Sequence, residues 1–158
     1  MNSAVKSIPL GYHTVTPYIL VNDVSKALSF YKQAFGAEEL IRLQVGHGKI
    51  AHAEFKIGNS VIMISESTSE MNLPLKSGRA CDVCFFVYVS DVDLAAKIAI
   101  AAGMKVIKEV EDQLYGDRTG TFEDPFGLVW SIGTHIEDVS REECIKRMQH
   151  FGMSNSLS

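Results

Sequence analysis

The sequence predicts an α+β fold made of two copies of one strand-helix-three-strand (βαβββ) module, their sheets curled round a cavity, with a C-terminal helix added. Two observations carry this. Within each half the hydrophobic period changes from two to about 3.6, and the same landmarks recur at a nearly fixed offset. The run Asn22, Asp23, Val24 is matched by Ser90, Asp91, Val92 at an offset of 68, Gly36 by Gly103 at 67, and Glu54 and Gly58 by Glu123 and Gly127 at 69.

The first strand is read from Thr14, Thr16 and Tyr18 alternating with Val15, Pro17, Ile19 and Val21. A helix follows, capped by Asn22 or Asp23, with Val24, Ala27, Leu28, Tyr31 and Phe35 on one face and Gly36 as its left-handed stop. The second half repeats this grammar: Val83, Phe85, Val87 and Val89 share a strand face before a helix that begins near Asp91 and stops at Gly103. "AEFKIGNSVIMI" superposes on "TFEDPFGLVWSI" for the last two strands of each copy. Each copy alone leaves one sheet face without a helix, so the two are expected to close their open faces on each other.

These limits place module 1 at about 12–66, a linker at about 67–80, module 2 at about 81–135 and a C-terminal helix at about 140–151. The linker, "STSEMNLPLKSGRA", has little periodicity; Met71, Leu73 and Leu75 in it suit surface packing or a lid. The last helix opens on a Ser140 to Glu143 capping box and sets Cys144, Ile145, Met148 and Phe151 on one side, to pack or to dimerise. Both chain ends read as frayed.

With 46% hydrophobic and 22% charged side chains among 158 residues, the composition is that of an ordinary globular protein. A net charge of −4 with no run of five or more Lys or Arg gives no electrostatic footprint for nucleic acid. No apolar run approaches the length that spans a bilayer, and "MNSAVKSIPL" lacks a cleavable apolar leader, so no membrane partner and a cytoplasmic protein are expected. Three cysteines fit a reducing compartment. The "CDVC" run is a strand in this reading, which separates Cys81 and Cys84 by about 10 Å and points them to opposite faces, so no disulfide joins them.

Alternation assigns the faces. Ala53, Phe55 and Ile57 cover the helix, so His52 and Glu54 point inward; Phe122 covers the second helix, so Thr121 and Glu123 do too. Thr14, Thr16 and Tyr18 from the first strand and Cys84, Phe86 and Tyr88 from the fifth join them. A filled core would read Val, Leu and Ile on both faces, so this polar and aromatic lining predicts a ligand cavity. Glu123 either faces that cavity near its rim or is solvated beside the "DPFG" turn.

The two modules, "SFYKQAFGAEE", and "YGDRTGTFEDPFGLVWSIGTHIEDVSREE" together resemble the vicinal oxygen chelate superfamily of glyoxalase I, bleomycin-resistance proteins and extradiol dioxygenases, and within it the PhnB-like, glyoxalase-like group. The resemblance spans residues 12 to 148 and implies the glyoxalase/bleomycin-resistance/dioxygenase fold and homodimerisation. Metal-dependent members draw His, Gln or Glu ligands from the first and last strand of each module. Carried over, those positions fall on Thr16, Cys84, Ser131 and either Ile62 or Met63. The resemblance therefore implies a chain without the superfamily's four-ligand metal site and with no expected cofactor.

Two functions follow as expectations. The first is a metal-free site that binds a small, partly aromatic molecule, with Tyr18, Phe86, Tyr88 and Tyr115 stacking, His52, Glu54, Arg118 and Glu123 orienting polar groups, and Thr16, Cys84 and Ser131 on the lining. The second is a lyase- or isomerase-type enzyme in which His52 with Glu54 or Glu123 moves a proton, or in which those three hold a displaced divalent metal. Arg118 has a local alternative, pairing with Asp117 or Asp112; His13, His47, His135 and His150 read as strand-end, turn or helix-surface residues.

Overall fold

The computed structural model describes residues 7–45, 49–66 and 83–155. The expected linker with Met71, Leu73 and Leu75, together with His47, Cys81 and the extreme ends, lies outside the described residues. The chain divides into unit 1, Met1–Arg79, and unit 2, Ala80–Ser158.

Unit 1 runs β1 (Tyr18–Val21), α1 (Val24–Phe35), β2 (Glu38–Val45), β3 (Lys49–Ile57) and β4 (Ser60–Glu66). Its strands are ordered β1-β4-β3-β2, with β1 parallel to β4 and the other pairs antiparallel. β1 begins at Tyr18 rather than Thr14. Thr14, Val15 and Thr16 form an irregular lead-in where the Thr16 hydroxyl donates to the His13 carbonyl at 3.0 Å, a local bond that competes with strand pairing.

Asp23, not Asn22, caps α1: its carboxylate accepts from the Lys26 amide at 2.9 Å. Gly36 closes the helix at φ 65°, and the Ala37 amide reaches back to the Tyr31 carbonyl. Between these caps Val24, Ala27, Leu28, Phe30, Tyr31 and Ala34 are buried. The Tyr31 ring stacks on Phe55 of β3 with centroids 5.0 Å apart. Ala53 pairs with Ile64 and Phe55 with Ile62, so these four share the helix-covered face. Burying each large side chain there stabilises the unit by roughly 1.5–3 kcal/mol.

Unit 2 runs β5 (Cys84–Tyr88), α2 (Val92–Ala102), β6 (Lys105–Asp112), β7 (Asp117–Glu123), β8 (Val129–His135) and α3 (Arg141–Asn155), with sheet order β5-β8-β7-β6. Asp91 caps α2 through the Leu94 amide at 2.9 Å, and Gly103 ends it at φ 115°. On the helix-covered face Phe85 lies 4.8 Å from Trp130, which pairs with Phe122. Val83 and Val89 flank β5 rather than belonging to it. α3 starts on the Ser140 hydroxyl, which accepts from the Glu143 amide at 3.2 Å, and extends to Asn155, beyond the expected end at 151.

Ladder register corrects the expected superposition of the two halves. The offset of 68 fixed by Asp23 and Asp91 equates Tyr18 with Phe86. Across the sheets the rows are Tyr18, Met63, Glu54 in unit 1 and Phe86, Ser131, Thr121 in unit 2. Glu54 therefore corresponds to Thr121, and Phe55 to Phe122. The two hairpins also differ in length: Lys56 pairs with Val61 across four residues, and its counterpart Glu123 pairs with Val129 across five. Met63, not Ile62, is the residue that matches Ser131.

That longer hairpin is organised by Asp124, 4% exposed. One carboxylate oxygen accepts from the Phe126 and Leu128 amides, both at 2.9 Å, and the other from the Trp130 indole at 3.0 Å. Asp124→Ala leaves three donors without this acceptor and is expected to cost about 3 kcal/mol or more, read as a lower urea midpoint. Asp124→Asn, which keeps the shape and one acceptor, should lose less than half of that; equal losses would refute the hydrogen-bonding account.

Candidate functional site

Period-2 alternation leaves each sheet one face opposite its helix. In unit 1 that open face carries Tyr18, His52, Glu54 and Met63. His52 Nε2 lies 3.0 Å from Glu54 Oε1, and the Tyr12 hydroxyl donates to Glu54 Oε2. The Tyr18 ring meets His52 edge-on, centroids 5.7 Å apart. The Glu54 side chain is 13% exposed and that of His52 25%, so a small molecule on this face reaches both. Burial pushes the Glu54 carboxyl up, but hydrogen bonds from Tyr12 and His52 and the His52 charge outweigh it, leaving the carboxyl below its ordinary value. The same bond holds the Tyr12 phenol above its ordinary value.

Unit 2 presents two rows and an end cluster. Cys84, Val129 and Glu123 form one row, and Phe86, Ser131 and Thr121 the next. The Cys84 thiol is 3.4 Å from the Ser131 hydroxyl, itself 3.2 Å from Thr121 Oγ1. Phe86 and Tyr88 lie 4.7 Å apart, and the Phe86 ring crosses the backbone at Gly133, where an added Cβ would come within 2.7 Å of it. Beyond them Asp117, 4% exposed, accepts from the Tyr88 hydroxyl at 2.8 Å and pairs with His135 Nδ1 at 2.7 Å, while His135 Nε2 meets Asp138 at 2.9 Å. The bonds to Asp117 and then Asp138 raise the His135 imidazole above its ordinary value, and Asp117 likewise raises the Tyr88 phenol.

The structure thus brings His52 and Glu54 together in unit 1, and Cys84 and Ser131, and Phe86 and Tyr88, in unit 2. Glu123 is half-buried on the open face and makes no hydrogen bond or ion pair with the described residues. Tyr115 is exposed in the β6–β7 turn, close enough to Tyr88 to affect its ionisation. Arg118 does not join the set. It alternates onto the helix-covered face with Gly120 and Phe122, where its guanidinium grips Asp93 of α2 through two bonds of 2.9 Å and Asp112 at 2.8 Å.

Two members escaped the sequence reading. Tyr12 sits in irregular chain before β1 and has no periodicity to betray it. Asp117 could have been found, because counting back in twos from Glu123 and Thr121 along β7 puts it on the open face.

The residues at the superfamily's metal-ligand positions do not fit a divalent cation. Thr16 offers a hydroxyl already bound to a carbonyl, Cys84 a thiol, Ser131 a hydroxyl and Met63 a thioether, a set without the carboxylate or imidazole that such ions require. Among the described residues no three His, Cys, Asp or Glu side chains form a group able to hold a metal ion. No helix of the described residues is long and apolar enough to cross a membrane.

Comparison with known proteins agrees with the fold. The sequence matches the family model of the Glyoxalase/Bleomycin resistance protein/Dioxygenase superfamily over residues 12–132. An uncharacterized protein of Mycobacterium bovis is 34% identical over 142 residues, 87% of this chain and 93% of that one. Among solved structures, TioX from Micromonospora sp. ML1 superposes with a TM-score of 0.61 at 25% identity, covering 77% of this chain and 99% of its own. A glyoxalase/bleomycin resistance protein/dioxygenase family enzyme from Burkholderia phytofirmans PsJN gives 0.64 at 24% identity, over 75% and 95%, a likeness of fold alone.

The raised His135 imidazole makes a signed prediction. A group whose folded value lies above its unfolded one stabilises fully below the unfolded value, near 6.5, and loses that stabilisation as pH rises through the folded value. The melting temperature of the wild type should therefore drop, relative to His135→Gln, between about pH 6 and 8.5. Parallel pH profiles for the two proteins would refute the assignment.

Proposed function

This chain belongs to the Glyoxalase/Bleomycin resistance protein/Dioxygenase superfamily, and from that premise we propose that it is a small-molecule-binding protein of the glyoxalase-like, bleomycin-resistance type. Its placement in the PhnB-like branch and its action as a homodimer are part of the proposal. The observation that carries it is the open face of unit 1, where Tyr12, Tyr18, His52 and Glu54 form a partly buried polar and aromatic cluster. A carboxylate this shielded is costly to keep charged without partners, and here its partners are side chains of that same face. Phe86, Tyr88 and the Cys84, Ser131, Thr121 row give the open face of unit 2 the same mixed character. Arg118, committed to Asp93 and Asp112, takes no part.

A second reading has one observation in its favour, the 3.0 Å contact of His52 Nε2 with Glu54. Glu54 would hold the ring with its Nε2 proton, leaving Nδ1 to take a proton from a carbonyl-bearing substrate. Glu123, the other carboxylate considered for this role, lies on β7 of unit 2.

Screening a metabolite mixture by thermal shift should find a compound that raises the melting temperature and is recovered chemically unchanged; prior chelation with EDTA should leave the shift intact. A shift abolished by chelation would overturn the metal-free reading. Conversion of the compound, lost in His52→Ala while the fold persists, would replace binding with catalysis.

A further inference from the structure

The donors and acceptors at the Glu54 cluster are not balanced. Tyr12 commits its only hydroxyl proton to Glu54 Oε2, and His52 Nε2 lies 3.0 Å from Oε1, a contact that a carboxylate makes only as acceptor of the Nε2 proton. With the His52 ring in its neutral form, what these groups still offer are lone pairs: a second one on each carboxylate oxygen, that of the Tyr12 oxygen, and His52 Nδ1. Met63, beside Glu54 in the ladder, adds a weakly accepting thioether.

The cations and hydroxyls nearby do not redress this. Lys56, next on the same face of β3, is held by Glu38 at 3.0 Å. The Thr16 hydroxyl points its proton at the His13 carbonyl. Tyr18 keeps a hydroxyl at the tip of a 47% exposed ring, a neutral group that cannot offset a second negative charge. On β2 the matching side chains, Ile41 and Leu43, are apolar and exposed.

We infer that the open face of unit 1 selects the hydrogen-bond-donating end of its ligand, an amine or hydroxyl group on an aromatic or apolar body, and rejects a carboxylate or phosphate end. The inference rests on the small-molecule reading and narrows it. A donor group satisfies the remaining lone pairs of Glu54, Tyr12 and His52. An oxyanion meets those lone pairs and the repulsion of the Glu54 charge, with the neutral Tyr18 hydroxyl as its one donor among these groups. The ring edges of Tyr18 and His52 and the side chains of Ile41 and Leu43 supply contact for the body.

Three probes of one shape decide it: benzyl alcohol, benzylamine and benzoate, titrated into the full chain at about pH 8.5, where an ordinary imidazole is neutral. The readout is NMR of the Met63 methyl and the His52 ring, which reports this face and no other. The alcohol and the amine should move both signals with dissociation constants at least about tenfold below that of benzoate. Glu54→Gln, which puts an amide donor in the same space, should narrow that gap by admitting benzoate. Benzoate binding here as tightly as the amine overturns the inference and leaves the binding reading standing. If none of the three moves these signals up to its solubility limit, the binding reading of this face falls, and the inference with it.

Discussion

An amphipathic helix can hide its apolar stripe only against one face of a sheet, and in a strand the next residue along always points the other way. Most of what distinguishes this protein follows from that constraint. Tyr31 and Phe55 stack because α1 must be covered, and once Ala53 and Phe55 are turned towards it, His52 and Glu54 have no choice of direction. The geometry of the candidate site is thus set by the packing behind it. A one-residue slip of β3 would send the carboxylate into the helix interface and the phenylalanine into the open, which is a loss on both faces.

Buried charge is used in two different ways. Asp124 and Asp117 are equally hidden, each 4% exposed. Asp124 is satisfied by two backbone amides and an indole, groups that never titrate and that fix one turn, so its role is to hold the β7–β8 hairpin. Asp117 is satisfied by the tips of Tyr88 and His135, side chains that are themselves half or more exposed. Its stabilisation therefore depends on groups that meet solvent and any ligand. The distinction lies in who donates, and it separates a structural carboxylate from one linked to the surface.

Much of the fold was legible because it rests on patterns of adjacent residues. Asp23, Gly36, Asp91 and Gly103 announce helix ends by chemistry that acts within four residues, and the helix-covered faces follow from a count in twos. What was not legible depends on the partner strand or on chain outside any period. The superposition through Glu54 and Glu123 follows motifs that look alike, and only pairing reveals that Glu54 lies opposite Met63 as Thr121 lies opposite Ser131, with one hairpin a residue longer. For Arg118 the sequence offers a ligand contact or a local pair with Asp117 or Asp112; the Asp112 pair is present, and the alternation that fixes Thr121 and Glu123 puts the side chain behind the sheet, where Asp93 of α2 also receives it. Tyr12 contributes through a contact 42 residues distant, and nothing local encodes such a contact.

The corrected register also changes what duplication means here. With Glu54 set against Thr121, the two halves keep the helix-facing residues in kind, Phe55 and Phe122, while diverging across the sheet. The first row reads tyrosine, methionine, glutamate and the second phenylalanine, serine, threonine. Packing penalises change on the covered face, since a buried aromatic replaced by a smaller side chain costs several kcal/mol. The open face has no such filter, and its side chains can alter so long as their hydrogen bonds are met. The same asymmetry accounts for the metal-ligand positions. Met63, Cys84 and Ser131 lie on open faces and Thr16 in the lead-in to β1, so imidazoles and carboxylates can give way there to hydroxyl, thiol and thioether without disturbing either helix-sheet layer, and the chemistry of the faces changes while the fold that presents them does not.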